Sequence, residues 1–236
     1  MGYLPIFLDL RGQPCLVIGG GENAQAKVGA LLEADGIVTV VSTTATDGIK
    51  LLASDGRLRL LAREYEYGDL LGKSLVYVAT GNAEISRRAA LEARERGILL
   101  NVVDDPEAST FISPATFKRG DLQIAISTSG SSPALARMLR ERLQQQIGPG
   151  YAALPLIMGR ARKFLRQREA DQHKRAFMLK SLATTLLDSV GALDKTLIDN
   201  ALRRHLQATL EELAIEPSRI ALPNSGKAST GAKNCQ

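Results

Sequence analysis

The chain has 236 residues, 44% of them hydrophobic, which is enough to bury one good core and a second, smaller one. Its two cysteines lack the paired spacing of a disulfide framework or a structural zinc site, and no apolar run reaches the 18 residues of a membrane span. The first residues lack the basic region of a signal peptide, so we expect a cytoplasmic protein.

Charge is divided unequally along the chain. Residues 1–114 carry 11 Lys and Arg against 15 Asp and Glu, whereas residues 115–236 carry 19 against 10. The basic half suits an anionic partner, whether nucleic acid, membrane headgroups or a polycarboxylate, although solvated faces of amphipathic helices would have the same composition. With five Phe, five Tyr and no Trp, the chain has few side chains on which nucleic-acid bases could stack.

A glycine-rich turn follows the first predicted strand. The apolar run Cys15–Ile18 ends in three glycines, and an Ala-rich helical pattern begins at Ala24. This order matches the G-x-G-x-x-A form of the dinucleotide fingerprint, in which Gly19 permits the tight turn and Gly21 lets the backbone approach a pyrophosphate. The helix start favours the phosphate charge. We therefore expect a dinucleotide site here.

Strands and helices then alternate. Further strands are predicted at residues 37–41, 58–62, 74–79 and 98–103, and a helix at 83–96. Strands separated by helices of this length predict an α/β fold, a Rossmann-type doubly wound parallel sheet that ends near residue 114.

The remainder of the chain changes character. Short strands are predicted at 109–112 and 122–127, joined through the turn-rich stretch 118–121, and a helix at 134–146 begins after a Ser-Pro cap. Helical periodicity runs from 151 to 213. We expect four parts: a dinucleotide-binding domain (1–114), a region of short strands and one helix (115–147), a helical domain (148–215) and a disordered tail (216–236).

Several polar residues fall at the carboxyl ends of the predicted strands, where open parallel sheets bind ligands. They are Thr43 and Thr44, Thr80, and Asp104. Ser42 occupies the place of the usual acidic ribose ligand and no Arg stands beside it, so these residues leave NAD and NADP open. Asp104 can serve as a general base, or it is a turn residue before Pro106.

A second cluster of polar residues lies at the start of the helix at 134–146. The hydroxyls of Thr128, Ser129 and Ser132 precede the helix and Arg137 lies one turn inside it, which can form a cradle for a carboxylate or phosphate. The alternative is a well-capped helix only. Both histidines, His173 and His205, lie far from the sheet, so we expect neither a nucleophilic triad nor a metal site.

Taken in order, these residues resemble the precorrin-2 dehydrogenase family, the N-terminal module of siroheme synthases. The matching segments run from residue 1 to about 145 and more loosely to about 200. They are 4–7, 17–21 with Ala26 and Lys27, 101–104 with Pro106, 111–112 with Pro114, and 129–137.

The resemblance implies NAD-dependent oxidation of precorrin-2, a reduced tetrapyrrole with eight carboxylates, to sirohydrochlorin. Some members also insert ferrous iron to give siroheme. It further implies a homodimer without nucleic-acid or membrane partners, in which 1–114 is the NAD-binding domain, 115–147 the dimerisation region and 148–215 the substrate-cleft domain. Asp104 would be the acid/base residue. Cofactor contacts would come from Gly19, Gly20, Gly21, Glu22, Asn23, Ala24, Thr43, Thr44 and Thr80, and substrate contacts from Thr128, Ser129, Ser132 and Arg137.

Two features depart from the family pattern: Thr128 stands in place of a Ser, and Asp105 lies beside Asp104, where it could raise the pKa of its neighbour or merely face solvent. Two other functions stay open. One is a nucleotide-sensing regulatory module, and the other is a dehydrogenase of a different anionic substrate.

Overall fold

The structure is a computed structural model that describes residues 2–216, in two compact units. The first comprises residues 1–113 and 129–131, of which Met1 is outside the described range. Its elements are β1 (Pro14–Ile18), α1 (Glu22–Glu33), β2 (Ile37–Val41), α2 (Asp47–Ser54), β3 (Arg59–Leu61), β4 (Leu75–Val78), α3 (Ala83–Arg96) and β5 (Leu99–Val102).

The sheet of the first unit has the strand order β3-β2-β1-β4-β5, and every pair is parallel. Strand β1 is central, and its register places Ile18 beside Val41 of β2 and Val78 of β4. The carboxyl ends of these strands therefore lie along one edge. This confirms the predicted α/β fold of the Rossmann type.

Both faces of the sheet are covered, which is why its strands appear in the sequence as continuous apolar runs. Along β1, Cys15 and Val17 pack with α1 on one face, while Leu16 and Ile18 pack with α3 on the other. All four side chains are at most 2% exposed. Helix α3 ends at Gly97, whose φ of 67° is the left-handed conformation of a helix C-cap.

The strand predicted at 109–112 is wrong. This segment runs beside the edge strand β5 but pairs with it largely through side chains. The Thr110 N–H donates to the Leu100 carbonyl and the Leu100 N–H to Thr110 Oγ1, while Asn101 Nδ2 donates to the Phe111 carbonyl. The strand lies further on, at Ala115–Arg119.

The second unit comprises residues 114–128 and 132–236, described as far as Glu216. It begins with an antiparallel hairpin of β6 (Ala115–Arg119) and β7 (Leu122–Ile126). Its helices are α4 (Pro133–Gln146), α5 (Ala153–Arg168), α6 (Gln172–Asp188) and α7 (Lys195–Leu206).

Helices α5, α6 and α7 enclose the core of this unit, in which Ile157, Leu182, Ile198 and Leu202 are completely buried. Among residues 2–216, no helix has the combination of length and apolar character needed to cross a membrane. The predicted disordered tail, apart from Glu216, lies outside the described residues.

Candidate active site

In the turn after β1, Gly19 and Gly20 lie so close to neighbouring backbone atoms that a side chain would not fit at either position. Gly19 has a φ of 119°, and a Cβ there would overlap with the carbonyl of Ala79. A Cβ on Gly20 would overlap with the carbonyl oxygen of Thr44, whose loop is tied to the turn by the Thr46 N–H donating to the Gly20 carbonyl at 2.9 Å. The fingerprint leaves the Gly20 position open, so the local pattern does not predict why this residue must be a glycine.

Gly21 has different surroundings. A Cβ there would have no heavy atom within 4 Å, so the space beside it is open. Gly21 is also the N-cap of α1 and offers no side chain to satisfy the free N–H groups of the first turn. Glu22 and Asn23 are exposed in that turn, while Ala24 is fully buried against the sheet. The residues present therefore fit a phosphate at this helix start.

The predicted cofactor contacts at neighbouring strand ends lie along the same edge of the sheet. Thr43 and Thr44 follow β2 and are exposed. Thr80 follows β4 and is half-buried, and its Oγ1 accepts a 3.3 Å hydrogen bond from the Asn82 N–H. All three hydroxyls can still accept or donate further bonds.

Asp104 comes two residues after the end of β5. Its φ of 64° is left-handed, a conformation that Asp tolerates better than most residues but that is uncommon outside glycine. The preceding residue is fixed to the sheet, because the Val103 N–H donates to the Val78 carbonyl at 2.9 Å. The Asp104 side chain is exposed, and its carboxylate has no hydrogen-bond partner among residues 2–216. It is thus available for proton chemistry.

The neighbouring carboxylate, that of Asp105, accepts a hydrogen bond within its own loop. Asp105 Oδ1 accepts a 3.0 Å hydrogen bond from the Ala108 N–H, and the Asp105 carbonyl accepts one from Ser109 Oγ at 2.7 Å. Asp105 therefore holds the turn that follows β5.

In the loop before α4, the hydroxyls of Thr128 and Ser132 form hydrogen bonds with the loop backbone and with the start of the helix. Thr128 Oγ1 accepts from the Ser132 N–H and donates to the Ser132 carbonyl, both at 3.0 Å, and Ser132 Oγ accepts from the Leu135 N–H at 3.2 Å. Between them, Ser129 has a left-handed φ of 54°. Arg137 is exposed and makes no ion pair or hydrogen bond with the described residues.

The predicted site residues fall in both units. The cofactor residues, Asp104 and Ser129 belong to the first, and Thr128, Ser132 and Arg137 to the second. Ser129 and Asp105 line one open cavity of about 640 Å³ in the first unit. A cavity of about 470 Å³ lies between α3 and the ends of β4 and β5, and its lining includes Thr80, Ser86, Arg87, Arg94, Val103 and Asp105.

No group of three or more His, Cys, Asp or Glu that could hold a metal ion is found among residues 2–216. His205 Nε2 lies 2.8 Å from Thr185 Oγ1 in the helical unit, and His173 is exposed. Iron insertion therefore stays a prediction.

Sequence reasoning assigned no role to two charged residues of the first unit. Glu92 is completely buried on α3, and Lys27 is half-buried on α1 beside Tyr77. Both occur in helical stretches with many other charged or small residues, so no local signal separates them from solvated positions.

Comparison with known families gives two matches. Residues 6–115 match a family described as "Putative NAD(P)-binding", and residues 119–146 match one described as "Sirohaem biosynthesis protein central".

Curated relatives are siroheme synthases. The enzyme of Methylobacillus flagellatus is 43% identical over 178 residues, 75% of this chain and 38% of its own length. Those of Methylococcus capsulatus and Chromobacterium violaceum are 42% and 41% identical over 71% and 80% of this chain, and 35% and 41% of their own lengths. The chain thus spans about two fifths of the length of these relatives.

A solved structure of a precorrin-2 dehydrogenase, SirC, superposes with a TM-score of 0.72 over 87% of this chain and all of that one, at 24% identity. This likeness establishes a shared fold. The two family regions and the siroheme synthase relatives confirm the resemblance seen in the sequence: the chain is similar to siroheme synthases over about three quarters of its length.

Proposed function

We propose that this chain oxidises precorrin-2 to sirohydrochlorin in siroheme biosynthesis, with NAD⁺ as the hydride acceptor. The observation that carries the proposal is Asp104, an exposed carboxylate with no hydrogen-bond partner among the described residues, held at the carboxyl end of β5 in a left-handed conformation. It stands on the edge of the sheet that also presents the glycine turn, where dinucleotide-binding folds place their ligand.

The cofactor assignment rests on the turn after β1. Open space at Gly21 and uncapped N–H groups at the start of α1 suit a pyrophosphate, and the match of residues 6–115 to an NAD(P)-binding family supports a nicotinamide dinucleotide. We infer NAD rather than NADP from the resemblance to NAD-dependent precorrin-2 dehydrogenases, and the residues that follow β2, Ser42, Thr43 and Thr44, are compatible with NAD. They include no cation to accept a 2′-phosphate.

In the mechanism we propose, the bound dinucleotide supplies the hydride acceptor. The substrate loses a hydride from one ring position and a proton from another, which yields sirohydrochlorin, NADH and a proton. The carboxylate of Asp104 accepts that proton and later releases it to solvent. Asp105 keeps the turn in place through its bond to the Ala108 N–H.

The substrate side of the proposal rests on charge. An octacarboxylate requires cations, and residues 115–236 carry a surplus of nine Lys and Arg over Asp and Glu. We assign Arg137 to a substrate carboxylate because its guanidinium is exposed and has no partner among the described residues. Ser129 is assigned to the substrate because it lines an open cavity of the first unit. The hydroxyls of Thr128 and Ser132 serve chiefly to shape the loop.

The test is anaerobic incubation of the purified protein with NAD⁺ and precorrin-2, following NADH and sirohydrochlorin by absorbance. We expect the two products in equal amounts. If the protein does not oxidise precorrin-2 but forms NADH when another anionic substrate replaces it, the protein is a dehydrogenase of that other substrate. NAD binding with no turnover of precorrin-2 would favour a nucleotide-sensing module.

The cofactor site is tested by a matched pair of glycine variants. Gly21→Asp places a negative charge in open space, so the protein should fold while its Kd for NAD⁺ rises more than about tenfold, or about 1.4 kcal/mol. Gly20→Ala forces a Cβ against the Thr44 carbonyl, so it should lower the thermal midpoint instead. Calorimetric NAD affinity that is unchanged in Gly21→Asp would refute the assignment of this turn.

A further inference from the structure

The cavity of about 470 Å³ beside α3 has no role in the proposed function. It lies entirely within the first unit, between α3 and the turn that follows β5. Of its lining residues, only Thr80 is among the proposed cofactor contacts, and Asp104 does not line it. Its volume falls within the range of about 300–1,000 Å³ that is typical of small-molecule sites.

Much of the cavity wall is apolar, because small side chains leave a gap between α3 and the turn. Ala83 and Ala90 line the cavity from the helix, and Ala108 lines it from the turn. Ala90 and Val102 are only 6% and 5% exposed and form its floor, whereas Leu91 is 53% exposed and lies at its rim. A ligand with an apolar body would therefore bury apolar surface here.

The turn that forms the opposite wall is held by hydrogen bonds. Ser109 Oγ accepts from the Val102 N–H at 2.9 Å and donates to the Asp105 carbonyl at 2.7 Å. The Asp105 N–H donates to the Val102 carbonyl at 3.2 Å, and Arg94 Nη2 donates to the Glu107 carbonyl at 3.1 Å. The wall is thus formed before a ligand binds, which lowers the entropic cost of binding.

Two guanidinium groups line the same side of the cavity. Arg87 and Arg94 are seven residues apart on α3, so they share a helix face and are separated by about 10.5 Å along the helix axis. Among residues 2–216, each uses only Nη2, Arg87 toward Glu84 Oε2 at 2.6 Å and Arg94 toward the Glu107 carbonyl. Nε and Nη1 of both side chains can still donate to a ligand.

One carboxylate, that of Asp105, also lines the cavity, and its Oδ1 accepts a hydrogen bond from the Ala108 N–H. The lining therefore carries two positive charges and one negative charge, which favours an anionic ligand.

We propose that this cavity binds an organic dicarboxylate. The apolar chain of the ligand rests on the floor at Ala90 and Val102, and a carboxylate at each end accepts charge-assisted hydrogen bonds from Arg87 and Arg94. This site goes beyond the proposed function, because its ligand takes no part in the oxidation of precorrin-2.

The test is calorimetric titration of the purified protein, at constant ionic strength, with azelate, a linear nine-carbon dicarboxylate whose extended length matches the separation of the two arginines. We expect one site with a Kd on the order of 1 mM, as is usual for a small ligand in an open cavity. Nonanoate has the same chain with a single carboxylate and should bind about tenfold more weakly. Nonanediol has no charge and should not bind. Absence of saturable azelate binding would overturn the proposal, and so would equal affinities for azelate and nonanoate.

Matched variants of α3 locate the bound azelate. Arg87→Met should raise the Kd for azelate about tenfold, and Arg94→Met at least as much, because Arg94 also ties the turn to the helix. Arg88→Met is the control, since it removes the same charge from the next residue. The Arg88 guanidinium lies 5.5 Å from the centroid of the Tyr65 ring and does not line the cavity. Arg87 and Arg88 are both exposed, so the thermal midpoints of their variants should match that of the parent. Equal losses of affinity in Arg87→Met and Arg88→Met would show an effect of net charge only and would overturn the site.

Competition with NAD⁺ separates this inference from the proposed function. Saturating NAD⁺ should change the Kd for azelate by less than about twofold, because the cavity shares only Thr80 with the proposed cofactor contacts. Displacement of azelate by NAD⁺ would place the azelate in the cofactor crevice and overturn the proposal. If azelate binds with the expected dependence on Arg87 and NAD⁺ does not bind at all, the cofactor assignment fails and this site stands.

Discussion

Two adjacent carboxylates have different surroundings in this protein. Asp105 is bonded to the Ala108 N–H and closes a turn, whereas Asp104, one residue earlier, has no hydrogen-bond partner among residues 2–216. The left-handed backbone at Asp104 restricts which substitutions are informative. Asn tolerates that conformation as Asp does, while a β-branched residue would add strain of its own.

We therefore predict that Asp104→Asn lowers the turnover of precorrin-2 by about 10²–10⁴-fold, the usual worth of a general base. The amide keeps the shape of the side chain but cannot accept the proton. Affinity for NAD⁺ and the thermal midpoint should be unchanged. Anaerobic steady-state kinetics and calorimetry measure these quantities.

Asp105→Asn is the matched control. Its amide oxygen can still accept a hydrogen bond from the Ala108 N–H, so we expect only a modest loss of rate. If Asp105→Asn abolishes turnover while Asp104→Asn is near normal, the base is the other carboxylate. If both variants are near normal, the proton goes directly to water.

At the scale of elements, α3 holds the connection between β3 and β4 through one buried carboxylate. Glu92 is completely buried and accepts hydrogen bonds from Tyr65 Oη at 2.6 Å, the Gly68 N–H at 3.0 Å and Arg96 Nε at 2.9 Å. Burial, together with the Glu92 charge, raises the pKa of Tyr65, so its phenol remains a donor. The charge is thus fully partnered, which a buried carboxylate requires.

Glu92→Gln should lower the free energy of unfolding by about 1–3 kcal/mol, because the amide leaves a buried donor facing other donors. Urea denaturation measures the change. The control is Glu95→Gln on the same helix, whose carboxylate bonds to the exposed Tyr67 Oη at 2.6 Å and should contribute less than about 0.5 kcal/mol. Equal losses in the two variants would contradict this role for Glu92.

The strands of the sheet could be predicted because each is buried on both faces and is therefore an apolar run. Helix α2 could not, because it has eight residues and a single fully buried side chain, Ile49. The strand predicted at 109–112 failed for a different reason. Its apolar and hydroxyl residues do follow β5, but they bond through the side chains of Thr110 and Asn101.

Some features of the candidate site could be predicted from the sequence, and others could not. The glycine turn and Asp104 could be predicted because their positions relative to strand ends are local in sequence. Gly20 is among the predicted cofactor contacts, but its packing requirement could not be predicted, and neither could the surroundings of Lys27. The first comes from the Thr44 carbonyl and the second from the Tyr77 ring, both distant along the chain. These contacts form only when the sheet folds, so the local sequence does not predict them.

At the scale of the whole molecule, helix α4 presents an apolar stripe to solvent. Leu135, Met138 and Leu139 are 48%, 66% and 38% exposed, and their spacing places them on one face. The stripe lies within residues 119–146, which match the central region of siroheme biosynthesis proteins. We propose that a second copy of the chain covers it, which gives a homodimer.

Met138→Glu should shift the protein from dimer to monomer at micromolar concentration. A charge in the middle of the stripe would have to be desolvated at the interface, and the favourable burial of Met, about 1.5–3 kcal/mol, would be lost. Gln144→Glu is the control, since it adds the same charge to the exposed opposite side of α4, at 100° per residue. Sedimentation velocity should show a dimer for the parent and Gln144→Glu and a monomer for Met138→Glu. A dimer in all three would place the interface elsewhere, and a monomeric parent would refute the homodimer.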